Sequence, residues 1–418
     1  MHDILPEEQI FFQKIYNTAQ NIAHFYNFQR IDTPILEEAE LFSKGVGMTT
    51  DIVEKQMYAF RSRGGDYLAL RPEFTAAIAR SYIEHGMFNL PQPVKLYSAG
   101  PLFRQERPQA GRYRQFHQID FEVLGEQSPV IDAQIIQIFY NFLRELKFKN
   151  IIIEINSIGD SQCRPYYKKL LTSYFRSREG SLCSDCRRRL RENPLRVLDC
   201  KEEKCQPVKS QAPQLVDHLC DQCKTHFKGV LEFLDEVDIP YRLNPYLVRG
   251  LDYYTKTVFE IFEDTPDGQK LGALVGGGRY DALTKILGGK DTPSCGGAAG
   301  VERLVAVLKE KTKKETTVSS VAVKKVFLAQ LGELAKRKSL KLFEEFRKAR
   351  IPIAESLSKD SLKSQLRSAD KEGASFALIL GQKEALDGTV IIRDMKTGKQ
   401  DTVKIEKTVK EIEKRVRR

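Results

Sequence analysis

The segment 103–122, FRQERPQAGRYRQFHQIDFE, decides how this chain is read. It divides into a strand end, a polar loop and a second strand. The loop RPQAG has the proline and glycine of a turn, and the flanks PVKLYSAGPLFRQE and RYRQFHQIDFE read as its two strands. Side chains alternate between the faces of a strand, so Gln118, Asp120 and Glu122 share one face, with Phe116 in phase. A sheet face mixing arginines and carboxylates is costly to bury unless ligands or ion pairs satisfy it. Pattern alone leaves two readings open, a ligand-binding face and a structural salt-bridge lattice.

Upstream, 7–27 repeats apolar residues at helical spacing, IDTPILEEAELF is extended around Pro34, and YLALRPEFT reads as a strand entering a turn before the helix TAAIARSYIEHG. Downstream, DAQIIQIFYNFLREL is an amphipathic helix and NIIIEINSIG a buried strand. Residues about 160–235 are rich in Cys, Arg and Lys and mostly helical in pattern, as an inserted subdomain would be. Strands resume at YLVRGLDYYTKTVFEIF and LGALVGGGRYDAL, and GVERLVAVL is a helix. KEKTKKETTVSS has no periodicity and reads as a linker over 309–321. After it, strand and helix alternate, which predicts a small α/β domain over 322–418 with a largely parallel sheet.

A chain of 418 residues can hold two or three domains, each with its own core. The N-terminus has no basic segment leading into an apolar one, and no apolar run approaches the roughly 20 residues that span a bilayer. Cytoplasm is the expectation, with no membrane partner. The net charge of +11 is uneven, because residues 322–418 hold 24 Lys and Arg against 14 Asp and Glu. A basic appendage on a near-neutral body suits a polyanion docked at one end, although a solvated lysine-rich surface would look the same.

Nucleotide binding through a P-loop is excluded, since G-x-x-x-x-G-K-[ST] is absent and no G-x-G-x-x-G joins a strand to a helix. Among the eight cysteines, Cys183-x2-Cys186 and Cys220-x2-Cys223 have the spacing of a four-thiolate zinc site, with Cys200 and Cys205 as alternative ligands. Buried free thiols are the other reading; Cys163 and Cys295 stand apart.

Phe103-Arg104-x-Glu106, the loop, then Arg112-x3-Phe116-x3-Asp120 resemble motif 2 of the class II aminoacyl-tRNA synthetases. IDTPILEE resembles motif 1, and GGAAGVERL, with Arg303, resembles motif 3, although Gly297 stands where a larger apolar residue is common. Within that class, LVRGLDYYT (247–255) and ALVGGGRYD (273–281) resemble the two signatures of the histidyl-tRNA synthetase family. The resemblance extends over essentially the whole chain. It implies an α+β fold, with a class II catalytic domain over 1–308 built on a mostly antiparallel sheet flanked by helices. It further implies a helical insertion at about 160–235 and a C-terminal α/β anticodon-binding domain over 322–418. The implied activity is histidine–tRNA ligation by a homodimer, with ATP and Mg²⁺, including recognition of an extra guanine at the 5′ end of the tRNA.

Site residues follow from the same resemblance. Arg104 and Arg249 would act on the α-phosphate and the substrate carboxylate, which suits a guanidinium that forks onto oxygens. Glu106, Arg112, Phe116 and Arg303 would join Arg104 around ATP. Glu73, Phe74, Thr75, Gln118, Glu122, Tyr253, Tyr254 and Tyr280, with both catalytic arginines, would hold L-histidine. Phe74 stands where the family commonly has a small residue. Metal is neither required nor excluded by the resemblance. A catalytically dead relative, whether a regulatory subunit or a tRNA sensor, would be expected to lose Arg104, Arg249 or the RGLDYY signature, and all three are present.

Overall fold

The computed structural model describes residues 2–48, 50–106, 111, 113–264, 272–315, 325–355 and 361–417. It comprises two compact units, Met1–Glu315 and Thr316–Arg418.

The first unit holds strands β1 (Gln29–Arg30), β2 (Leu36–Glu38), β3 (Ala59–Arg61), β4 (Tyr67–Leu70), β5 (Val94–Phe103), β6 (Gln115–Leu124), β7 (Ile151–Ser157), β8 (Tyr241–Leu243), β9 (Thr255–Glu263), β10 (Val275–Arg279) and β11 (Ser294–Gly300). Among the described residues, eight of these form one sheet in the order β1-β5-β6-β11-β10-β9-β7-β8, and β2-β4-β3 form a small second one. The interior pairs are all antiparallel; only the short edge strands β1 and β8 pair in parallel.

The two faces of the large sheet differ because the strands alternate. Ile119, Phe121 and Val123 of β6 and Phe259 and Ile261 of β9 point one way. There they meet the apolar stripes of helices Pro6–Phe25, Pro129–Glu145, Asp221–Glu236 and Val301–Glu315. Phe121 packs edge-on to Phe139 with centroids 5.5 Å apart. The middle of this layer is made of glycines: a Cβ on Gly297 would lie 2.8 Å from the Phe139 ring and 3.2 Å from the Phe259 ring. Gly297 suits this chain because those two aromatics fill the volume a larger residue would take.

One charged pair is buried inside this apolar layer. Arg279, at the end of β10, donates to Asp132 on helix Pro129–Glu145, and neither side chain is exposed. The Arg279 guanidinium also reaches the carbonyls of Glu126 (2.9 Å) and Ser128 (3.2 Å), and His226 lies 3.3 Å from Asp132. Burial alone would raise the Asp132 pKa, but the charge of Arg279 and the hydrogen bonds from His226 and Arg279 pull it down to about 2.

The segment expected as an inserted subdomain is helical, with helices Arg164–Arg176, Ser184–Glu192 and Gln206–Lys209. It shares a core with the sheet's other face: Tyr167, Leu171, Leu195 and Val197 cluster with Phe42, Tyr253, Tyr254 and Val258. Its last expected part, helix Asp221–Glu236, belongs instead to the main apolar layer through Phe227, Val230 and Leu234. Helix Val301–Glu315 also continues through 309–315, expected as linker, because its charged C-terminal half stays in helical register beside the sheet, where Lys311 meets Glu263 at 2.5 Å. The rest of the expected linker, 316–321, lies outside the described residues.

The second unit holds β12 (Lys325–Gln330), β13 (Ile353–Glu355), β14 (Ala374–Leu380), β15 (Thr389–Asp394) and β16 (Gln400–Lys404), in the order β13-β12-β14-β15-β16. Helices Glu333–Lys348 and Thr408–Arg417 help close its core around Val326, Leu342, Phe346 and Leu378. The sheet is mixed rather than largely parallel. The β12 pairs are parallel, whereas β14-β15 and β15-β16 are antiparallel. The short connections there cannot carry a strand back to start in parallel. No described helix is long and apolar enough to cross a membrane.

Asp132→Ala removes the fully buried partner of Arg279 and leaves Asp281, 3.1 Å away, as its remaining carboxylate. We expect a loss of about 3–5 kcal/mol in urea unfolding at neutral pH, and a loss below about 1 kcal/mol would show the pair to be dispensable. In the wild type the contribution should be present above the usual carboxylate pKa of 3.8 and vanish as pH falls through about 2.

Candidate active site

The second face of the sheet is a cradle floored by glycine and walled by charge. Glu122 lies directly across from Gly296 on β11, and Gln118 between Gly100 and Gly300. A Cβ on Gly296 would overlap the Glu122 carboxylate, and one on Gly276 would come within 2.7 Å of Cζ of Arg249. These strands therefore keep functional groups low against the backbone and leave the space above them clear.

Glu122 is buried, accepting from Thr75 Oγ1 at 2.6 Å and from the Tyr280 hydroxyl. Burial, with Glu73's charge, pushes its pKa up to about 8 against the pull of those two hydroxyls. Glu73 accepts from the backbone N–H of Ala76 (2.8 Å) and lies 3.5 Å from the Tyr253 hydroxyl. Burial raises Glu73 as well, and it raises Asp120 well above the usual range, reinforced by Glu122 and Glu73. Oδ1 of Asp120 is buried with no hydrogen-bond partner among the described residues. Three buried carboxylates crowded in this way suit a ligand that brings positive charge and N–H donors.

Aromatic residues close the pocket. The Tyr253 ring lies 4.7 Å from that of Tyr254 and 5.6 Å from that of Tyr280. Arg249 sits 5.6 Å from the Tyr254 ring centroid and pairs with Glu260, not with Asp252; its buried Nε has no partner among the described residues. Asp252 instead accepts from Asn193 at 3.1 Å. Beside Arg249 opens a cleft of about 190 Å³, lined by Arg164, Asn193, Arg196, Asp252 and Tyr254. Arg104 stacks 5.1 Å from the Phe116 ring and donates from Nε to the Pro72 carbonyl at 2.9 Å, so its outer nitrogens are turned to the cradle by a fixed base. Arg303 is anchored to the Ala273 carbonyl, and its neighbour Glu302 accepts from His117 Nδ1 at 2.7 Å and from the His117 backbone N–H.

Glu73, Thr75, Glu122, Tyr253, Tyr254, Tyr280, Arg104 and Arg249 thus lie around one pocket, and Gln118 shares the strand face of Glu122. Glu106 adjoins Arg104. Arg112 lies outside the described residues. Phe74 takes a different place: its ring packs with Ile78, Tyr82, Leu96 and Leu102 beneath Arg71, 4.5 Å away, because a large apolar ring gains more from that cluster than from a polar pocket.

The cysteines also divide differently. Cys183 and Cys186 meet Cys200 and Cys205, whereas Cys220 and Cys223 meet Cys163 and Asp160. A single site made of Cys183, Cys186, Cys220 and Cys223 is not formed, because each knuckle already has two other ligand atoms beside it. Cys163, expected to stand apart, is one of them.

Sequence reasoning missed Arg279 and Asp132. The signal was an aspartate inside the apolar stripe of helix Pro129–Glu145, flanked by Ile131, Ile135 and Ile136.

A large, mostly antiparallel sheet flanked by helices, with a separate unit carrying its own sheet, is the architecture of class II aminoacyl-tRNA synthetases. Comparison with known proteins narrows this. The family model described as histidyl-tRNA synthetase matches residues 1–160 and 191–304, and an anticodon binding domain matches 325–415. A histidine–tRNA ligase of Dehalococcoides mccartyi is 45% identical over 414 residues, 99% of this chain and 98% of that protein. One from Aquifex aeolicus is 45% identical over 405 residues, 97% of each. The crystal structure of apo S. aureus histidyl-tRNA synthetase aligns with TM-score 0.80 at 34% identity, covering 98% of this chain and 97% of that one. The chain belongs to the histidyl-tRNA synthetase family. Its activity is that of a histidine–tRNA ligase, an aminoacyl-tRNA ligase of class II.

The raised pKa of Glu122 has a measurable sign. With a folded value of about 8 against 4.5, the native state holds a proton that the unfolded state has released between those values. Stability is full below 4.5 and is lost as pH rises through about 8. Ligand-free wild type should therefore lose ground to Glu122→Gln in urea unfolding as pH goes from about 5 to about 8. Parallel pH profiles for the two proteins would contradict the assignment.

Proposed function

We propose that Arg104 and Arg249 are the catalytic groups of histidine activation, gripping the α-phosphate and the attacking carboxylate. The observation that carries this is the half-buried Arg249, held low by Gly276 and Glu260, with a buried, unsatisfied Nε. A reaction that spreads charge over phosphoryl oxygens needs preorganised cations more than it needs a base. Glu106, Phe116, Arg112 and Arg303 hold ATP, which enters with Mg²⁺. Glu73 takes the α-ammonium of histidine with Thr75 and Gln118. Glu122, oriented by Thr75 and Tyr280, accepts from the imidazole, and Tyr253 and Tyr254 frame the ring. A site that pairs both ends of a polar side chain rejects analogues that lack those groups, so no editing domain is called for.

Residues 1–315 form the catalytic body in this reading, and the basic unit from 325 onward binds the anticodon stem and loop. The enzyme works in the cytoplasm as a homodimer across the motif 1 region, where Ile35 and Leu36 beside Pro34, with Phe60 and Tyr67 of the same small sheet, are exposed. A structural zinc belongs to the same proposal. Cys183, Cys186, Cys200 and Cys205 supply four thiolates, with 3.9 Å between the sulfurs of Cys183 and Cys200 and backbone N–H groups directed at Cys183 and Cys205.

Two substitutions test Arg249. Arg249→Ala should slow single-turnover histidyl-adenylate formation by about 10²–10³. Gly276→Ala keeps the charge but displaces the guanidinium, and should cost about 10². Near-normal activation in both would reduce Arg249 to a structural partner of Glu260.

The tail is tested separately. A chain ending at Glu315 should retain histidine-dependent ATP–pyrophosphate exchange while its tRNA affinity drops. The salt dependence of tRNA binding should be steeper for the full chain, since phosphate contacts release counterions. Equal slopes would mean the basic unit serves solubility alone.

A further inference from the structure

We propose that Asp160, Cys163, Cys220 and Cys223 form a second zinc site, separate from the four-cysteine group, and that this ion fixes the backbone beneath Tyr254. The ligand atoms of these four residues all lie within 4.8 Å of one another. Asp160 Oδ1 is 3.6 Å from Cys163 Sγ and 3.9 Å from Cys220 Sγ. Tetrahedral ligands about 2.3 Å from zinc stand about 3.8 Å apart, so the cage already has the right size.

The donor set argues for metal over disulfide. Three sulfurs cannot pair completely, and one disulfide would strand the third thiol beside a carboxylate. A divalent ion uses all four atoms. Asp160 is already oriented for the task, since Oδ1 accepts the backbone N–H groups of Gln162 (2.9 Å) and Cys163 (3.4 Å). Such outer hydrogen bonds aim the ligands of metal sites.

The two halves of the cage come from different anchors. Asp160 and Cys163 follow β7, whereas Cys220 and Cys223 sit at the start of helix Asp221–Glu236, which is rooted in the main core. The first half lies in the turn 158–164, and that turn clasps the pocket of the proposed function. Ile158 N donates to the Lys256 carbonyl at 2.7 Å, and Lys256 N to the Gly159 carbonyl at 2.8 Å. Arg164 Nη2 donates to the Tyr254 carbonyl at 2.7 Å and to that of Gly159 at 2.8 Å. Arg164 also lines the cleft beside Arg249, together with Asn193 and Arg196, which lie between Cys186 and Cys200 in the chain. Each ion therefore holds a segment that contributes lining residues to that cleft. Asp160, Cys163, Cys220 and Cys223 are positioning residues; they reach the substrate only through Tyr254.

The test starts with the full-length purified enzyme. Elemental analysis should find about two zinc ions per chain, and X-ray absorption a mixture of four-sulfur and three-sulfur, one-oxygen coordination. Cys220→Ser should lose one ion and keep the four-sulfur signature. Its KM for histidine in pyrophosphate exchange should rise by about 10-fold, with the KM for ATP and kcat much less affected. Asp160→Cys should keep both ions, become all-sulfur and leave the histidine KM at the wild-type value. Cys200→Ser should lose only the four-sulfur ion. One zinc per wild-type chain in a purely four-sulfur site would overturn the proposal even if the variants fail to fold. So would a Cys220→Ser enzyme that loses the ion yet keeps its histidine KM, or one whose KM values for ATP and histidine rise together.

Discussion

The ion pair between Arg279 and Asp132 is the constraint on which the rest of this catalytic unit depends. Alternation in β10 sends Arg279 into the apolar layer and Tyr280 into the pocket, so whatever fixes the first residue aims the second. Asp132 supplies that fixation from a helix otherwise lined by Ile131, Ile135, Ile136 and Phe139. His226 adds a hold from helix Asp221–Glu236, whose N-terminal end carries Cys220 and Cys223. Apolar core, polar pocket and cysteine-rich segment thus meet at two fully buried side chains. Two charges in such a place gain little over a well-packed apolar pair, but either one without the other is severely destabilising. The arrangement specifies position more than it adds stability.

From that fixed point the two faces of the sheet can be opposite in character. The helix-facing side is filled by aromatic rings. The cradle side is emptied of side chains along β10 and β11 and given over to charge from the neighbouring strands. Glu122 is kept in a site that raises its pKa, held by Thr75 and Tyr280, and Arg249 is held by Glu260 while retaining an unmet donor. Polar atoms left short of partners in a buried site are a cost to the ligand-free protein. Substrate is the natural source of the missing bonds.

Much of this was legible in the sequence. Alternation in RQFHQIDFE placed Gln118, Asp120 and Glu122 on one face, and the motifs ordered the arginines around them. What was not legible depended on contacts between distant residues. The cysteine spacings are symmetrical enough to suggest one site from two knuckles, and only the fold shows Asp160 and Cys163 arriving beside Cys220. Phe74 looked like a pocket residue by position, yet its size sends it into the cluster with Ile78 and Tyr82. The mixed sheet of the second unit escaped because a buried strand reads the same in either direction. The reach of helix Val301–Glu315 escaped because a lysine-rich helical end resembles a linker when its tertiary neighbours are unknown.

The glycines of β10 and β11 carry a consequence for the sequence's freedom to drift. At most buried positions a larger side chain can be accommodated by a compensating change in whatever it strikes. At Gly296 the atoms struck belong to Glu122, and at Gly276 to Arg249. At Gly277 a Cβ would strike the backbone of Gly297 across the pair, 2.7 Å away, which no substitution can remove. The usual route of a damaging change followed by a repairing one is closed at all three positions. Variation in this enzyme is therefore expected to be lowest along the paired strands β10 and β11.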